Sequence, residues 1–341
     1  MQVLITGSSG QIGTNLALKL IGAGHDVFGI DIRANTWTDA FPYLIHDLTE
    51  RQTASGGLAT LDLPESDLVV HLGAHAKVHQ LVREPQRALD NAVMTFNVLE
   101  YARQTGMPIV FSSSREVYGD VHRFEEYPEQ AADFAFTEST YSASKIAGEA
   151  FIYSYARCYD VPYLVFRFSN VYGRFDNDLQ RMVRVIPLFT HSMLRDEPIT
   201  IYGGRDKTLD FTYVDDCVAG IARGIEALAA RRVTNQTINL AYGQGNTLVR
   251  CAELIAQELD IEPKMTLAPS LLGEVTHYVA DLSKARELLD YEPEVSLDDG
   301  IGRAVAWFRE HRAAHPEDDV PVRADHEGAL GSGQAWKTVA P

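Results

Sequence analysis

The sequence has 341 residues, of which 45% are hydrophobic and 23% charged, and these fractions exclude a disordered or fibrous protein. The 30 Lys and Arg residues against 47 Asp and Glu residues give a net charge of −17 at pH 7. Because so acidic a surface repels phosphate backbones and anionic lipid, we expect neither nucleic acid nor a membrane as a partner. The three cysteines are widely spaced, which is not typical of a disulfide framework or a metal knuckle.

Short apolar strands alternate with amphipathic helices through the first half of the chain. This alternation predicts an α/β fold with a doubly wound parallel sheet that is covered by helices on both faces. Strands are predicted at residues 3–5, 27–30, 68–72, 109–111 and 163–166, with helices at 16–21, 85–105 and 141–158.

The pattern becomes looser after about residue 170. Strands are predicted there at 199–202 and 237–240, and helices at 247–259, 283–289 and 297–312. We predict a smaller substrate-binding lobe over 171–312, from which the chain crosses back to the first domain, and an extended or mobile tail over 313–341.

The chain opens with a strand and lacks a basic segment followed by a long apolar one. No apolar stretch approaches the roughly 20 residues that are needed to span a bilayer, so we expect a soluble, cytoplasmic protein. His71, His75 and His79 are spaced four residues apart, but the first is in a predicted strand and the others in the following turn. They do not share a helical face, and we therefore expect no metal.

A glycine-rich turn over residues 7–13 joins the first strand to the first helix. Glycines there allow a tight turn and the close approach of a pyrophosphate, whose charge meets the helix N-terminus. Asp31 ends the second strand, where its carboxylate can accept hydrogen bonds from ribose hydroxyls and would repel a 2′-phosphate. This favours NAD over NADP, although Arg33 weakens the preference. The predicted NAD contacts are Gly7, Gly10, Gln11, Ile12, Gly13, Asp31, Ile32 and Arg33.

Tyr141 and Lys145 lie one helical turn apart on the same predicted face. A free tyrosine has a pKa near 10, and we expect Lys145 and a nicotinamide ring to lower the pKa of Tyr141 towards neutrality. Tyr141 can then take a proton from a substrate hydroxyl as hydride leaves the same carbon. The serine-rich turn 112–114 follows a predicted strand at its carboxyl edge, and Ser114 can hydrogen-bond the reacting hydroxyl.

The glycine turn, the serine turn and the Tyr-x-x-x-Lys pair, in this order, resemble the extended short-chain dehydrogenases/reductases. In particular they resemble the NAD-dependent epimerase/dehydratase family of nucleotide-sugar enzymes, over about residues 1–310. The similarity continues through 167–173, 210–216 and 273–285. It implies a Rossmann-type NAD-binding domain over 1–170 that carries the catalytic residues.

The resemblance also implies roles for individual residues. It makes Ser114, Tyr141 and Lys145 the catalytic trio, and it assigns substrate-nucleotide contacts to Asn170 and to residues 185–189, which include Ile186. It implies a homodimer that is formed through the helices at 85–105 and 141–158. Further cofactor contacts are implied for Asp47, Leu48, Leu72, Gly73, Ala74, Asn91, Ser112, Tyr141, Lys145 and Ser169.

Two positions depart from the family pattern. Members usually carry arginines at the positions of Leu209 and Leu271, where they clamp the substrate diphosphate. Either the clamp has moved or the substrate differs. Candidates for a relocated clamp are Arg174, Arg181, Arg184, Arg205 and Lys207, and we place Arg174 and Arg205 in the substrate site.

The residues after Ser114 bear on the type of reaction. In 4,6-dehydratases an Asp-Glu pair follows the catalytic hydroxyl, whereas this chain has Arg115 and Glu116. Glu116 alone remains, as in hexuronate decarboxylases, and it either takes part in catalysis or only orders the turn.

These observations predict an NAD-dependent 4-epimerase of a UDP-hexose or UDP-hexuronate that works through a transient 4-keto sugar. Three alternatives stay open. The first is decarboxylation or dehydration with Glu116, and the second is a dehydrogenase of an unactivated sugar, which the two leucines favour. The third is an NAD-binding redox sensor without turnover, which the presence of both Tyr141 and Lys145 disfavours.

Overall fold

The computed structural model describes residues 1–50, 57–120, 124–176 and 184–316. Arg181 and the predicted tail beyond residue 316 lie outside these residues. The strands are β1 (Gln2–Thr6), β2 (Asp26–Asp31), β3 (Tyr43–Ile45), β4 (Leu68–His71), β5 (Ile109–Ser114), β6 (Tyr163–Phe168), β7 (Val171–Tyr172), β8 (Ile199–Tyr202), β9 (Thr208–Asp210), β10 (Thr212–Tyr213), β11 (Gln236–Leu240), β12 (Gly245–Thr247) and β13 (Met265–Ala268).

The helices of eight or more residues alternate with these strands in the first half, as predicted. In chain order the α-helices are α1 (Gln11–Gly22), α2 (Val78–Arg83), α3 (Gln86–Thr105), α4 (Thr140–Tyr159), α5 (Val185–Leu194), α6 (Val214–Ala229), α7 (Leu248–Leu259), α8 (Ser283–Leu289) and α9 (Leu297–Ala314).

A seven-stranded sheet forms the centre of the fold, in the order β11-β6-β5-β4-β1-β2-β3. Every neighbouring pair in it is parallel. Successive side chains of a strand point to opposite faces, so Val3 and Ile5 join one buried core and Leu4 joins the other. The predicted doubly wound α/β fold is confirmed.

The second half of the chain contributes both to this sheet and to a separate lobe. The strand β11 pairs with β6 at the edge of the main sheet, and α6 packs against α1. The lobe contains α5 and two small pairs of strands, β9 with β12 and β8 with β13. No helix in the described ranges is long and apolar enough to cross a membrane.

Three local predictions need correction. Ser112 to Ser114 are the last residues of β5 rather than a turn after it, because they keep the parallel pairing with β6. His79 lies in α2 rather than in the turn before it. The helix α9 continues to Ala314, so the predicted tail would begin inside it. Within the described ranges, no group of three potential ligands could hold a metal ion.

Candidate active site

The glycine turn is packed too tightly for side chains at two of its positions. Gly7 has φ +71°, and a Cβ there would lie 2.7 Å from the backbone N of Gly73. A Cβ on Gly13 would lie 2.2 Å from the carbonyl O of Gly7. Gly10 caps α1 without a side-chain hydrogen bond, and the first turn of this helix has no acidic residue. The amides and dipole of α1 therefore suit an anion such as a pyrophosphate.

Asp31 lies beside this turn, at the end of β2. One carboxylate oxygen accepts from the backbone N of Ser9 at 2.9 Å, and the other accepts from the backbone N of Arg33 at 3.3 Å. Burial raises the pKa of Asp31. Because a carboxylate accepts up to about four hydrogen bonds, it has room for ribose hydroxyls. Ile32 is 49% exposed.

Asn91 connects the loop after β4 to α4. Its Oδ1 accepts from the backbone N of His75 at 2.7 Å, and its Nδ2 donates to the Oγ of Ser144 at 3.1 Å. In the same region Gly73 donates its backbone N–H to the Thr6 side chain at 3.3 Å. These contacts fix the segment that contains Leu72, Gly73 and Ala74. After β3, at the edge of the sheet, Asp47 accepts a hydrogen bond from the backbone N of Thr49, and Leu48 is buried.

Tyr141 and Lys145 face β5 from the first turns of α4. Lys145 Nζ donates to the Ser112 carbonyl at 2.8 Å and lies 5.8 Å from the Tyr141 ring centroid. The Tyr141 hydroxyl is hydrogen-bonded to Ser114. The Ser114 Oγ also accepts from the backbone N of Glu116 at 3.2 Å. The structure thus brings the predicted trio together.

Two features of the sequence hold α4 in this position. Ser139 and Ser142 form a capping box, in which each side chain accepts from the other residue's backbone N, at 3.1 and 2.9 Å. Further along the helix, a Cβ on Gly148 would lie 2.5 Å from the Phe111 ring. Glycine at this position therefore lets α4 lie directly on β5.

Burial dominates the electrostatics of the trio. It raises the pKa of Tyr141 to about 12, although the hydrogen bond from Ser114 lowers it in part. It also lowers the pKa of Lys145 to about 8. In the chain by itself desolvation dominates the Tyr141 pKa, and the expectation that Lys145 and a nicotinamide ring together lower this pKa stays a prediction.

A buried ion pair behind the trio was missed in the sequence. Arg167 binds Glu149 through Nε and Nη2 at 2.8 and 2.7 Å, and Ser113 donates to the same carboxylate at 2.6 Å. Glu149 follows Lys145 by one helical turn. Its negative charge raises the pKa of Lys145, whereas burial lowers it. The spacing of four residues between Lys145 and Glu149 was the available signal.

Arg115 and Glu116 form a second buried ion pair, with Arg115 Nη2 3.0 Å from Glu116 Oε1. Their side chains are 11% and 6% exposed. Arg115 Nη2 also lies 3.5 Å from the Asn170 Oδ1. Arg115 Nη1 and Glu116 Oε2 are buried, and neither has a hydrogen-bond partner among the described residues. Burial raises the pKa of Glu116.

Asn170 and Ser169 are held by the main chain of Asp210. The Asn170 Nδ2 and Ser169 Oγ donate to the Asp210 carbonyl at 3.0 and 2.7 Å. The fully buried Asp210 carboxylate accepts from the backbone N of Tyr242 and of Gly243, and burial raises its pKa to about 7. Asp210 therefore organises this part of the site without being a predicted site residue.

Arg174 and Arg205, which we predicted in the substrate site, differ in their surroundings. Arg174 binds Asn15 and pairs with Asp215 at 2.9 Å, with 41% of its side chain exposed. Arg205 is exposed on the turn after β8. Ile186 is 3% exposed and lines a small cavity between α5 and α9. The three predicted substrate contacts, Arg174, Arg205 and Ile186, stay predictions.

Two other candidate cations, Arg184 and Lys207, carry charges that act on Tyr141 or on Glu116. Arg184 Nη1 donates to the Gln11 Oε1 at 2.6 Å and pairs with Asp176, and its charge acts on Tyr141. Lys207 is buried and pairs with Glu274 at 2.8 Å, and both of these charges act on Glu116.

Comparison with known proteins identifies this arrangement. The model of the NAD dependent epimerase/dehydratase family matches residues 3–241, which is most of the sheet and the whole trio. The chain belongs to this family. The resemblance that we read from the motifs is thus confirmed.

Relatives of this epimerase/dehydratase chain carry two kinds of activity in their names. A probable UDP-glucuronate 4-epimerase of Rhizobium meliloti is 28% identical over 92% of this chain and 99% of the relative. A UDP-glucuronic acid decarboxylase of Arabidopsis thaliana is 28% identical over 91% of this chain and 70% of the relative. The crystal structure of a Thermotoga maritima UDP-glucose 4-epimerase with UDP-glucose superimposes with a TM-score of 0.83, at 28% identity over 91% and 99% of the two chains.

Proposed function

We propose that this family member interconverts the carbon-4 epimers of a UDP-activated sugar, with NAD as a retained cofactor. The observation that carries the proposal is the hydrogen bond between Tyr141 and Ser114, next to the Lys145 ammonium that is anchored on the Ser112 carbonyl. The named activities of the similar 4-epimerases support it.

The residues around the glycine turn fit NAD. The uncapped N-terminus of α1 would hold the pyrophosphate, and Asp31 would accept from the adenosine ribose. The buried Gln11 Nε2, for which the described ranges hold no hydrogen-bond partner, is a further donor beside the glycine turn. When bound, NAD supplies a hydride acceptor and a positively charged ring.

The chain's own residues handle the proton. Tyr141 would take the proton of the C4 hydroxyl, and Ser114 would hold that hydroxyl in place. With a pKa of about 12, Tyr141 keeps its proton at neutral pH in the chain alone. A positive charge next to the phenol lowers this pKa, so Tyr141 becomes a base when cofactor and substrate are both present. Lys145 would hold the ribose and stabilise the phenolate.

A second candidate function is decarboxylation of a UDP-hexuronate. It is favoured by the buried Glu116 carboxylate, one oxygen of which has no hydrogen-bond partner among the described residues, and by the decarboxylase among the relatives. Both candidates share the oxidation at carbon 4.

The proposal includes a homodimer in the cytoplasm. Phe96 on α3 and Phe151 on α4 are 39% and 37% exposed, with ring centroids 6.1 Å apart. Leu89 and Tyr159 add exposed apolar surface on the same two helices. A second copy would cover this surface.

We also retain the division of the chain into a cofactor-binding part over 1–170 and a mainly substrate-binding part over 171–312. The strand β11 and the helix α6 are exceptions, because they pack with the first part.

Proton NMR of UDP-glucose and of UDP-glucuronate, each incubated with the purified protein and catalytic NAD, tests the proposal. An epimer of unchanged mass from either sugar supports it. Release of carbon dioxide from the glucuronate would favour the second candidate. If neither sugar changes, the proposed function is wrong for UDP-sugars.

A further inference from the structure

Two buried polar atoms beside the trio have no hydrogen-bond partner in the part of the chain that the structure describes. Arg115 Nη1 is a donor and Glu116 Oε2 is an acceptor, and they belong to side chains that are joined by an ion pair of 3.0 Å. Buried polar groups in folded proteins are almost always paired, so atoms like these are expected to meet a ligand.

Both atoms belong to residues that adjoin the reactive hydroxyls. Ser114 precedes Arg115, hydrogen-bonds Tyr141 and accepts the backbone N–H of Glu116. The charges of Arg115 and Glu116 both act on Tyr141. A sugar whose C4 hydroxyl meets Tyr141 and Ser114 therefore presents its neighbouring ring substituents to Arg115 and Glu116.

The two cations whose charges act on Glu116 are already paired with carboxylates. Arg115 pairs with Glu116, and Lys207 pairs with Glu274 at 2.8 Å. Asp120 is a further anion that acts on Glu116. Next to Glu116 a substrate carboxylate would thus meet only cations that are already paired, and it would lie against the Glu116 carboxylate. Burying an unpaired charge is much more costly than burying a hydrogen-bonded hydroxyl.

We propose that Arg115 and Glu116 determine sugar specificity, by selecting the neutral C6 hydroxyl of the substituent on carbon 5, next to the reacting carbon, and rejecting a carboxylate at that position. A hydroxyl can accept from Arg115 Nη1 and donate to Glu116 Oε2 at the same time, so one group satisfies both atoms. The substrate class is therefore UDP-hexose rather than UDP-hexuronate. This inference rests on the proposed function and narrows it.

The test compares kcat/KM for UDP-glucose and UDP-glucuronate. We expect the natural chain to favour UDP-glucose by at least about 100-fold, because a site that hydrogen-bonds a substrate hydroxyl can reject an analogue without it by up to about 10⁴–10⁵-fold. Glu116→Gln keeps the size of the side chain and removes its charge, which leaves Arg115 without a counter-ion. We expect the ratio of kcat/KM for UDP-glucose to kcat/KM for UDP-glucuronate to fall at least about 10-fold in this variant, mainly because kcat/KM for UDP-glucuronate rises. The matched control Glu292→Gln removes a carboxylate from the exposed pair with Arg286 and should keep the natural ratio.

An equal or greater kcat/KM for UDP-glucuronate in the natural chain overturns the inference, and so does an unchanged ratio in Glu116→Gln. Calorimetric binding of both UDP-sugars to Tyr141→Phe, loaded with NAD, measures the preference without turnover. If neither sugar is epimerised but UDP-glucose still binds more tightly, the proposed function is wrong and the specificity stands. Binding of neither sugar, or tighter binding of UDP-glucuronate, refutes the specificity.

Discussion

The Arg167 guanidinium and the Glu149 carboxylate form two hydrogen bonds of 2.8 and 2.7 Å in the layer behind the reactive residues. Arg167 comes from β6 and Glu149 from α4, so the pair fixes the helix that carries Tyr141 and Lys145 against the sheet. Both side chains are more than nine-tenths buried. Each charge therefore depends on the other.

Glu149→Gln should destabilise the fold. It leaves the Arg167 charge buried and uncompensated, which costs about 3–5 kcal/mol. Urea unfolding followed by circular dichroism measures the loss. Asp298→Asn is the control, because its pair with Arg250 is largely exposed and should contribute less than about 1 kcal/mol. A loss of equal size in both variants would contradict the role of the buried pair.

His71 should make the fold sensitive to acid. Burial lowers its pKa from 6.5 to about 3. Between these values the unfolded chain binds a proton that the folded chain excludes, so stability falls as pH falls from 6.5 towards 3. This amounts to about 2 kcal/mol at pH 5. The difference in unfolding free energy between the natural chain and His71→Gln, measured at pH 7 and pH 5, should shift in favour of the variant by that amount. A pH-independent difference would rule out His71 as the source.

We expect Arg184 to bind the substrate diphosphate. It would take the role of the two family arginines, whose positions are occupied by Leu209 and Leu271 in this chain. It lies at the N-terminus of α5, next to Gln11, and its charge reaches Tyr141. Arg184→Gln should weaken UDP-sugar binding about 10-fold or more, since hydrogen bonds to charged groups are worth about 1.5–3 kcal/mol. Calorimetric titration gives the Kd. The same titration of Arg250→Gln should reproduce the natural value, and an unaltered Kd in Arg184→Gln would remove Arg184 from the account.

The exposed aromatic rings of α3 and α4 should hold two copies together. Phe151→Glu places a charge in the apolar surface that Phe96 shares. We expect the natural chain to sediment as a dimer and the variant as a monomer at micromolar concentration. Leu267→Glu, at a half-exposed position on β13, should stay dimeric. A natural chain with monomeric mass would refute the dimer directly.

The parts of the site that the sequence predicted are local in the chain. The glycine turn with Asp31 spans one strand, one helix and the next strand, and Tyr141 and Lys145 lie on one helical turn. Spacing alone brings such residues together. The fold class was predictable for the same reason, because each strand and helix has its own periodicity.

The parts that were missed depend on contacts between distant segments. Arg174 binds Asn15, which lies 159 residues away in the chain, and no local pattern predicts that contact. Ile186 is enclosed because α9 packs against α5, and no local pattern shows which face of α5 is covered. The orphaned atoms of Arg115 and Glu116 likewise become visible only when the surrounding groups are in place.

We propose above all that Tyr141 takes the proton of the C4 hydroxyl while hydride leaves carbon 4, and that the hydride then returns to the same carbon. UDP-glucose that carries deuterium at carbon 4 tests this most directly, by proton NMR and mass spectrometry after incubation with the protein and catalytic NAD. We predict an epimer that keeps its deuterium, and a loss of at least about 1,000-fold in rate for Tyr141→Phe. Epimerisation with loss of the deuterium to water, or an unimpaired Tyr141→Phe variant, would contradict the account.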